Sequence, residues 1–331
     1  PLLYFGNGFF IKGALSVQSF GERRSMKKIS FLYFILSAFL FTSCVSKKKV
    51  IYFQEIDTAS TENKSNYEPV IKTDDILYIN NGIHPGEPDG IDASMMYLRD
   101  ILLGKIEVPA DIAIAITPVY NIGGHLNRGS HSRVNQNGPE EFGFRGNARS
   151  YDLNRDFIKA DTKNARSFQQ IFNWLKPHVF IDTHVSNGAD YQHVMTLIST
   201  QHNRLGGQLG EYLEKELNPA LYNGMKARDF PMIPYVNAYG SKPEDGWNQF
   251  KDSGRYSSGY AALFSTLSFM PETHMLKPYD QRVNSTYALF ETFIEIFSCY
   301  RPMPAANYFS LSNPIVNSKI SSDAARNSES G

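Results

Sequence analysis

Only two cysteines, Cys44 and Cys299, occur in the 331 residues. That scarcity excludes a disulfide framework and a cysteine-rich metal site, leaving room for one bridge at most. Any metal would have to be held by His, Asp and Glu. An excess of charge is also missing, because 33 basic residues balance 33 acidic ones. A chain of zero formal charge has no broad electrostatic footprint for nucleic acid, so no nucleic-acid partner is expected. A long hydrophobic run is lacking too. The most apolar stretch, Ile29 to Phe41, has thirteen residues, short of the roughly 20 that a membrane span needs. What the chain does have is an apolar share of 42% with 13% aromatics. That suffices for a sizeable core, in one large domain or two small ones.

The N-terminal region reads as an address. Met26-Lys27-Lys28 ahead of the apolar run and Thr42-Ser43-Cys44 behind it are the parts of a secretory signal peptide, here residues 26–43. The cysteine after Leu40-Phe41-Thr42-Ser43 resembles a bacterial lipobox, with Phe41 where an aliphatic residue is usual. The resemblance implies cleavage before Cys44, lipidation of its sulfur and attachment to a membrane of the bacterial envelope, facing the periplasm. Residues 1–25 do not begin with Met and read as an extension of separate origin. The runs from Cys44 to Gln54 and from Tyr67 to Leu77 resemble the mature start of bacterial polysaccharide-export lipoproteins. That likeness stops before His84. It implies a joint near residues 76–80, with 44–75 as a foreign segment whose polar part, 57–68, is a linker.

From residue 76 to about 300 the pattern alternates. Ile76–Asn80, Ile112–Val119, Val179–Thr183, Val194–Ser199 and Leu267–Phe269 read as strands. Asp92–Leu103, with Asp92 as N-cap, Thr162–Leu175, Leu205–Leu217 and Arg282–Phe297 read as helices. The expectation is an α/β domain, with a mixed, mostly parallel central sheet flanked by helices. In such sheets ligands bind at the carboxyl ends of strands. Residues 121–156 read as a long loop carrying Arg128, Arg133, Arg145, Arg149 and Arg155. Long loops of this kind are often functional, and guanidinium forks suit carboxylate or phosphate. Residues 301–331 read as a loose polar tail.

His84-Pro85-Gly86-Glu87 follows the first of these strands, so its His and Glu can reach one ion from a tight turn. Alone it is weak, since eight histidines give about 0.4 chance matches at average Glu usage. Ile181-Asp182-Thr183-His184 also ends a strand on a histidine. Two His and one carboxylate with an open position make a catalytic zinc site, whose water becomes acidic on the metal. Glu272, after the apolar run Phe264–Met270, can occupy another strand end and move a proton.

These residues resemble the carboxypeptidase A-like group of zinc carboxypeptidases. The pieces come in family order: Asn81-Gly82-Ile83-His84-Pro85-Gly86-Glu87, Phe144-Arg145-Gly146-Asn147, Asp152-Leu153-Asn154-Arg155, Asp182-Thr183-His184 and Glu272-Thr273-His274. The likeness covers about residues 76–297. It implies one zinc ion held by His84, Glu87 and His184, with Asp152 accepting a hydrogen bond from the His84 ring. It implies that Asn154 and Arg155 grip the terminal carboxylate of a peptide. Arg145 would stabilise the oxyanion, with Arg133 a weaker candidate, and Glu272 would be the general base and then acid. Tyr256 and Tyr260 are candidates for a mobile tyrosine that covers the substrate.

The family places two strands before the one leading to the His-x-x-Glu turn. Here the preceding segment resembles another protein, so one reading is a sheet lacking its first strands. The other has Val50–Gln54 as a substitute strand. The leading expectation is an exported carboxypeptidase acting on peptides or peptidoglycan-derived peptides. Its rivals are an amidohydrolase of the succinylglutamate desuccinylase and aspartoacylase type, and a non-catalytic lipid-anchored envelope protein.

Overall fold

The computed structural model describes residues 3–4, 49–52, 75–186, 190–238 and 242–299. The signal segment, Cys44, the linker at 57–68 and the tail at 301–331 lie outside the described residues. In chain order the elements are β1 (Leu3–Tyr4), β2 (Lys49–Tyr52), β3 (Asp75–Asn80), α1 (Asp89–Leu102), β4 (Ile112–Thr117), α2 (Ile122–Leu126) and α3 (Lys163–Leu175). Next come β5 (Val179–Asp182), β6 (His184–Ser186), β7 (Met195–Ser199), α4 (His202–Leu205), α5 (Gly207–Tyr212) and α6 (Asn218–Ala227). The last elements of the described residues are β8 (Ile233–Pro234), β9 (Val236–Ala238), β10 (Trp247–Gln249), α7 (Ser257–Ala262), β11 (Leu267–His274) and α8 (Tyr279–Cys299).

One sheet runs in the order β1-β2-β4-β3-β5-β11-β7-β8, with β6 paired to β11. From β2 to β11 every neighbour is parallel, whereas β7 runs antiparallel to β11 and β1 to β2. The fold is therefore a mixed, mostly parallel α/β sheet between helices. Parallel strands covered on both faces need apolar residues at successive positions rather than alternating ones. Ile-Ala-Ile-Ala-Ile-Thr in β4 is buried throughout, as is nearly all of β3. Alternation then decides only which face each side chain joins. Leu77 and Ile79 join a core with Tyr97 of α1 and Phe290 and Phe293 of α8. Tyr78, between them, joins Phe168 and Phe172 of α3 on the other face. Phe168 anchors that second cluster, 5.0 Å from Phe157 and 5.6 Å from Phe172 and Phe180 between ring centroids.

Several sequence expectations need correction. The sheet is not short of strands before β3: β1 and β2 precede it, and β2 overlaps the stretch proposed as a substitute. Helix α1 starts at Asp89 with Pro88 at its N-cap, not at Asp92. Asp92 lies instead in the first turn, where its carboxylate accepts the Tyr279 hydroxyl at 2.7 Å. Helix α3 does start where expected, because Thr162 Oγ1 accepts from the Ala165 amide at 3.1 Å. Residues 121–156 are not structureless: they contain α2, a bridge between Gly129 and Phe142, and a 3-10 turn at Leu153–Arg155. Strand β11 runs through Glu272 to His274 rather than stopping at Phe269.

Candidate metal centre and active site

A change of strand partner creates the site. Strand β5 pairs with β3 as far as Asn80 opposite Asp182. Two residues later, β6 pairs only with β11, with His184 opposite Glu272. The chain thus leaves β3 at Thr183, and the Ile83–Glu87 turn settles into the gap that opens. Thr183 ties the switch together, its amide donating to Asn80 O at 3.0 Å and its hydroxyl to Asn81 Oδ1 at 2.8 Å. Close approach at this point demands glycine in α1, because a Cβ on Gly90 would fall 2.0 Å from Thr183 Oγ1. Three strand ends consequently deliver His84, Glu87, His184 and Glu272 to one place.

His84, Glu87 and His184 are all buried, and their ligand atoms lie within 4.8 Å of one another. His84 Nδ1 is 3.2 Å from Glu87 Oε1, and His184 Nδ1 is 2.9 Å from Glu87 Oε2. Each ring turns its other nitrogen to a carboxylate. His84 Nε2 donates to Asp152 Oδ1 at 2.9 Å and His184 Nε2 to Asp182 Oδ2 at 3.0 Å. A carboxylate only accepts, so these bonds place a proton on each Nε2. Arg145 Nη1 also lies 3.3 Å from His84 Nδ1. Carboxylate-oriented imidazoles presenting their second nitrogen, with a carboxylate between them, fit the requirements of one divalent ion.

Electrostatics separates the two glutamates. Burial works to raise the Glu87 pKa, but the charges of His84 and Arg133 and hydrogen bonds from His184 and His84 hold it well below the usual range. Glu272 is pushed up to about 7, by burial first and by the Glu87 charge, against the pull of His184, His84 and Arg133. Burial works against a charged His184, yet Asp182 and Glu87 outweigh it and raise the pKa well above the ordinary value. Asp152 is likewise held below the carboxylate range, with His84 and Arg145 outweighing burial.

The flagged arginines divide. Arg133 Nη1 donates to Glu87 Oε1 at 3.0 Å. Arg145, nearly half exposed, forks onto Asp152 Oδ2 with Nε at 3.1 Å and Nη2 at 2.8 Å. Both line a cavity of about 510 Å³ over His84 and Glu87, with Val134, Phe144 and Leu276 at its sides. Arg155 lies 4.7 Å over the Tyr256 ring, and Asn154 Nδ2 is 3.4 Å from His184 Nε2. Arg128 bonds the Glu141 carbonyl, and Arg149 is exposed. Tyr260 is 5% exposed within the aromatic cluster of Phe157, Phe168 and Phe172, not at the cavity. His274 is buried against the Tyr191 ring, with Nε2 3.7 Å from Asp190.

Two contributors went unassigned in the sequence. Asp182 orients His184, and Asn80 holds Asp182 Oδ1 at 2.9 Å. The signal was available: Asp182 and His184 are alternate strand residues and share a face. Gln136, which joins Arg133 to the Gly86 carbonyl, carries no such signal.

No protein-family model matches the chain, and no curated protein matches its sequence. Among solved structures it is similar to a metallo-carboxypeptidase from Pseudomonas aeruginosa, with 14% identity, a TM-score of 0.50, and coverage of 69% of this chain and 59% of that one. It is also similar to a metallo-carboxypeptidase from Burkholderia cenocepacia, with 16% identity, a TM-score of 0.50, and coverage of 70% and 59%. The chain therefore spans about 59% of the length of these proteins. At such identity the likeness is one of fold, a metallo-carboxypeptidase-like α/β architecture.

Proposed function

We propose that the chain is a zinc-dependent hydrolase of the carboxypeptidase type, cutting the C-terminal peptide bond of peptides or peptidoglycan-derived peptides. The observation that carries this reading is the convergence of three buried donors, His84, Glu87 and His184, beside a fourth group, Glu272, whose pKa is pushed up to about 7. His84 and His184 would hold zinc through Nδ1 and Glu87 through its carboxylate. When bound, the ion supplies a Lewis acid that polarises the scissile carbonyl and acidifies the attacking water.

The chain's own residues account for the remaining steps. Glu272 takes a proton from the attacking water and passes it to the leaving amine, a task suited to a pKa near the working pH. Arg145 lines the cavity while its Nε and Nη2 are anchored to Asp152, and it would turn an N–H left over from those bonds to the oxygen that becomes negative. Asn154 and Arg155 would grip the terminal carboxylate, with Tyr256 holding the Arg155 plane in place. We also propose, from the sequence, that the protein is exported and lipid-anchored at Cys44. Among the described residues no helix is long and apolar enough to cross a membrane.

The test is hydrolysis of blocked dipeptides and of N-acyl amino acids by zinc-loaded protein, beside Glu272→Gln. Peptide cleavage whose kcat falls about 10²- to 10⁴-fold in the variant supports the reading. Cleavage confined to N-acyl amino acids would favour the amidohydrolase instead. If nothing is hydrolysed that the variant fails to hydrolyse, the enzymatic reading is wrong.

A further inference from the structure

The Arg133 guanidinium is committed to protein acceptors on every side. Nη1 donates to Glu87 Oε1 at 3.0 Å, Nη2 to the Val185 carbonyl at 2.8 Å and Nε to Gln136 Oε1 at 2.7 Å. Gln136 returns to the same turn, its Nε2 donating to the Gly86 carbonyl at 3.0 Å. One side chain thus joins the turn bearing His84 and Glu87 to the residue next to His184. The Val185 amide completes the link from the other direction, donating to Glu87 Oε2 at 3.0 Å. The segment carrying Arg133 is fastened behind as well. Fully buried Arg282 donates from Nη1 to Asp89 Oδ1 at 3.0 Å and from Nη2 to the Asn137 and Gly138 carbonyls.

We propose that Arg133, held by Gln136, is a positioning residue that preassembles the His84–Glu87–His184 group for a divalent ion. The inference rests on the metal-centre reading above and replaces the oxyanion role that the family resemblance allowed for Arg133. Beside the two imidazoles, each Glu87 oxygen has a further donor from the protein, Arg133 on Oε1 and the Val185 amide on Oε2. The carboxylate is therefore fixed in rotation, with its remaining lone pairs toward the two Nδ1 atoms. A lysine would preserve the charge but not the fork, and so could not span Glu87, Val185 and Gln136 at once.

Cobalt(II) titration against a competing chelator, followed by the visible absorption of the bound ion, tests this. Arg133→Lys should lower cobalt affinity about 10- to 100-fold, the range typical when a partner of a metal ligand is lost, and should alter the spectrum. Gln136→Leu should do the same to a smaller extent. Wild-type affinity and spectrum in Arg133→Lys, with only kcat reduced, would overturn the proposal and make Arg133 a contact of the reacting oxygen. If circular dichroism shows Arg133→Lys unfolded, Gln136→Leu decides: reduced affinity supports the proposal and unchanged affinity overturns it. A wild-type protein that binds no cobalt removes the metal-centre reading and this proposal together. Cobalt binding with the expected variant pattern but no hydrolysis leaves this proposal standing and removes the hydrolase.

Discussion

Two regions bring a glutamate to the same pair of histidines and treat it in opposite ways. The turn after β3 surrounds Glu87 with an arginine, a backbone amide and two imidazoles. Strand β11 presents Glu272 opposite His184, and its carboxylate accepts no hydrogen bond from the described residues. Burial raises both pKa values in the first instance. Donors reverse that effect at Glu87 and not at Glu272. The first is a permanent anion, fit to hold a cation; the second is poised to exchange a proton. Placement of donors, rather than residue type, separates holding from reacting.

The sharpest way to break this contrast is to neutralise each glutamate in turn. Glu87→Gln should abolish stoichiometric zinc binding and, with it, all hydrolysis, as measured by metal content after dialysis. Glu272→Gln should retain full zinc while losing kcat by the 10²- to 10⁴-fold expected for a proton-transfer group. If both variants lose the metal, Glu272 is a ligand and the division of labour fails.

A smaller effect tests the supports behind the histidines. Asp182→Asn should weaken zinc binding about 10- to 100-fold. Asp152→Asn should cost less, because Asp182 is fully buried whereas the Asp152 side chain is 28% exposed and water can replace part of its role. Chelator competition on both variants measures the difference, and a larger loss at Asp152 would contradict this ranking.

Legibility in the sequence followed the range of the interactions. His84 with Glu87 and Asp182 with His184 sit in motifs of a few residues at strand ends, where local pattern reports both spacing and direction. The alternation of Asp182 and His184 is local and legible, whereas Asn80, which fixes Asp182, is about 100 residues away. The Arg133 brace spans 46 residues to Glu87 and 52 to Val185, and nothing local to Arg133 distinguishes it from exposed Arg149. The same limit applies to the fold. Near-continuous apolar runs announced β3, β4 and β5, whereas β2 depends on pairing with β4. Tyr260 was a plausible mobile residue by position. Only the packing of Phe157, Phe168 and Phe172 around its ring places it in the core.

The finest test of the contrast is the acid limb of the pH profile. As the proposed base, Glu272 would act only when deprotonated, so activity should rise with pH through its pKa. That value is about 7 in the metal-free protein. A bound dication favours the charged carboxylate and moves the pKa down, toward the ordinary value near 4.3. The limb of kcat/KM should therefore lie between these two values, with activity falling tenfold per pH unit below it. Glu87 contributes no second limb in this window, since its donors already hold it ionised. Glu272→Gln should flatten the limb in the residual activity, whereas Arg133→Lys, measured at saturating zinc, should leave its midpoint within a few tenths of a unit. A limb that survives unchanged in Glu272→Gln would assign the titration to another group and return Glu272 to a merely structural place in β11.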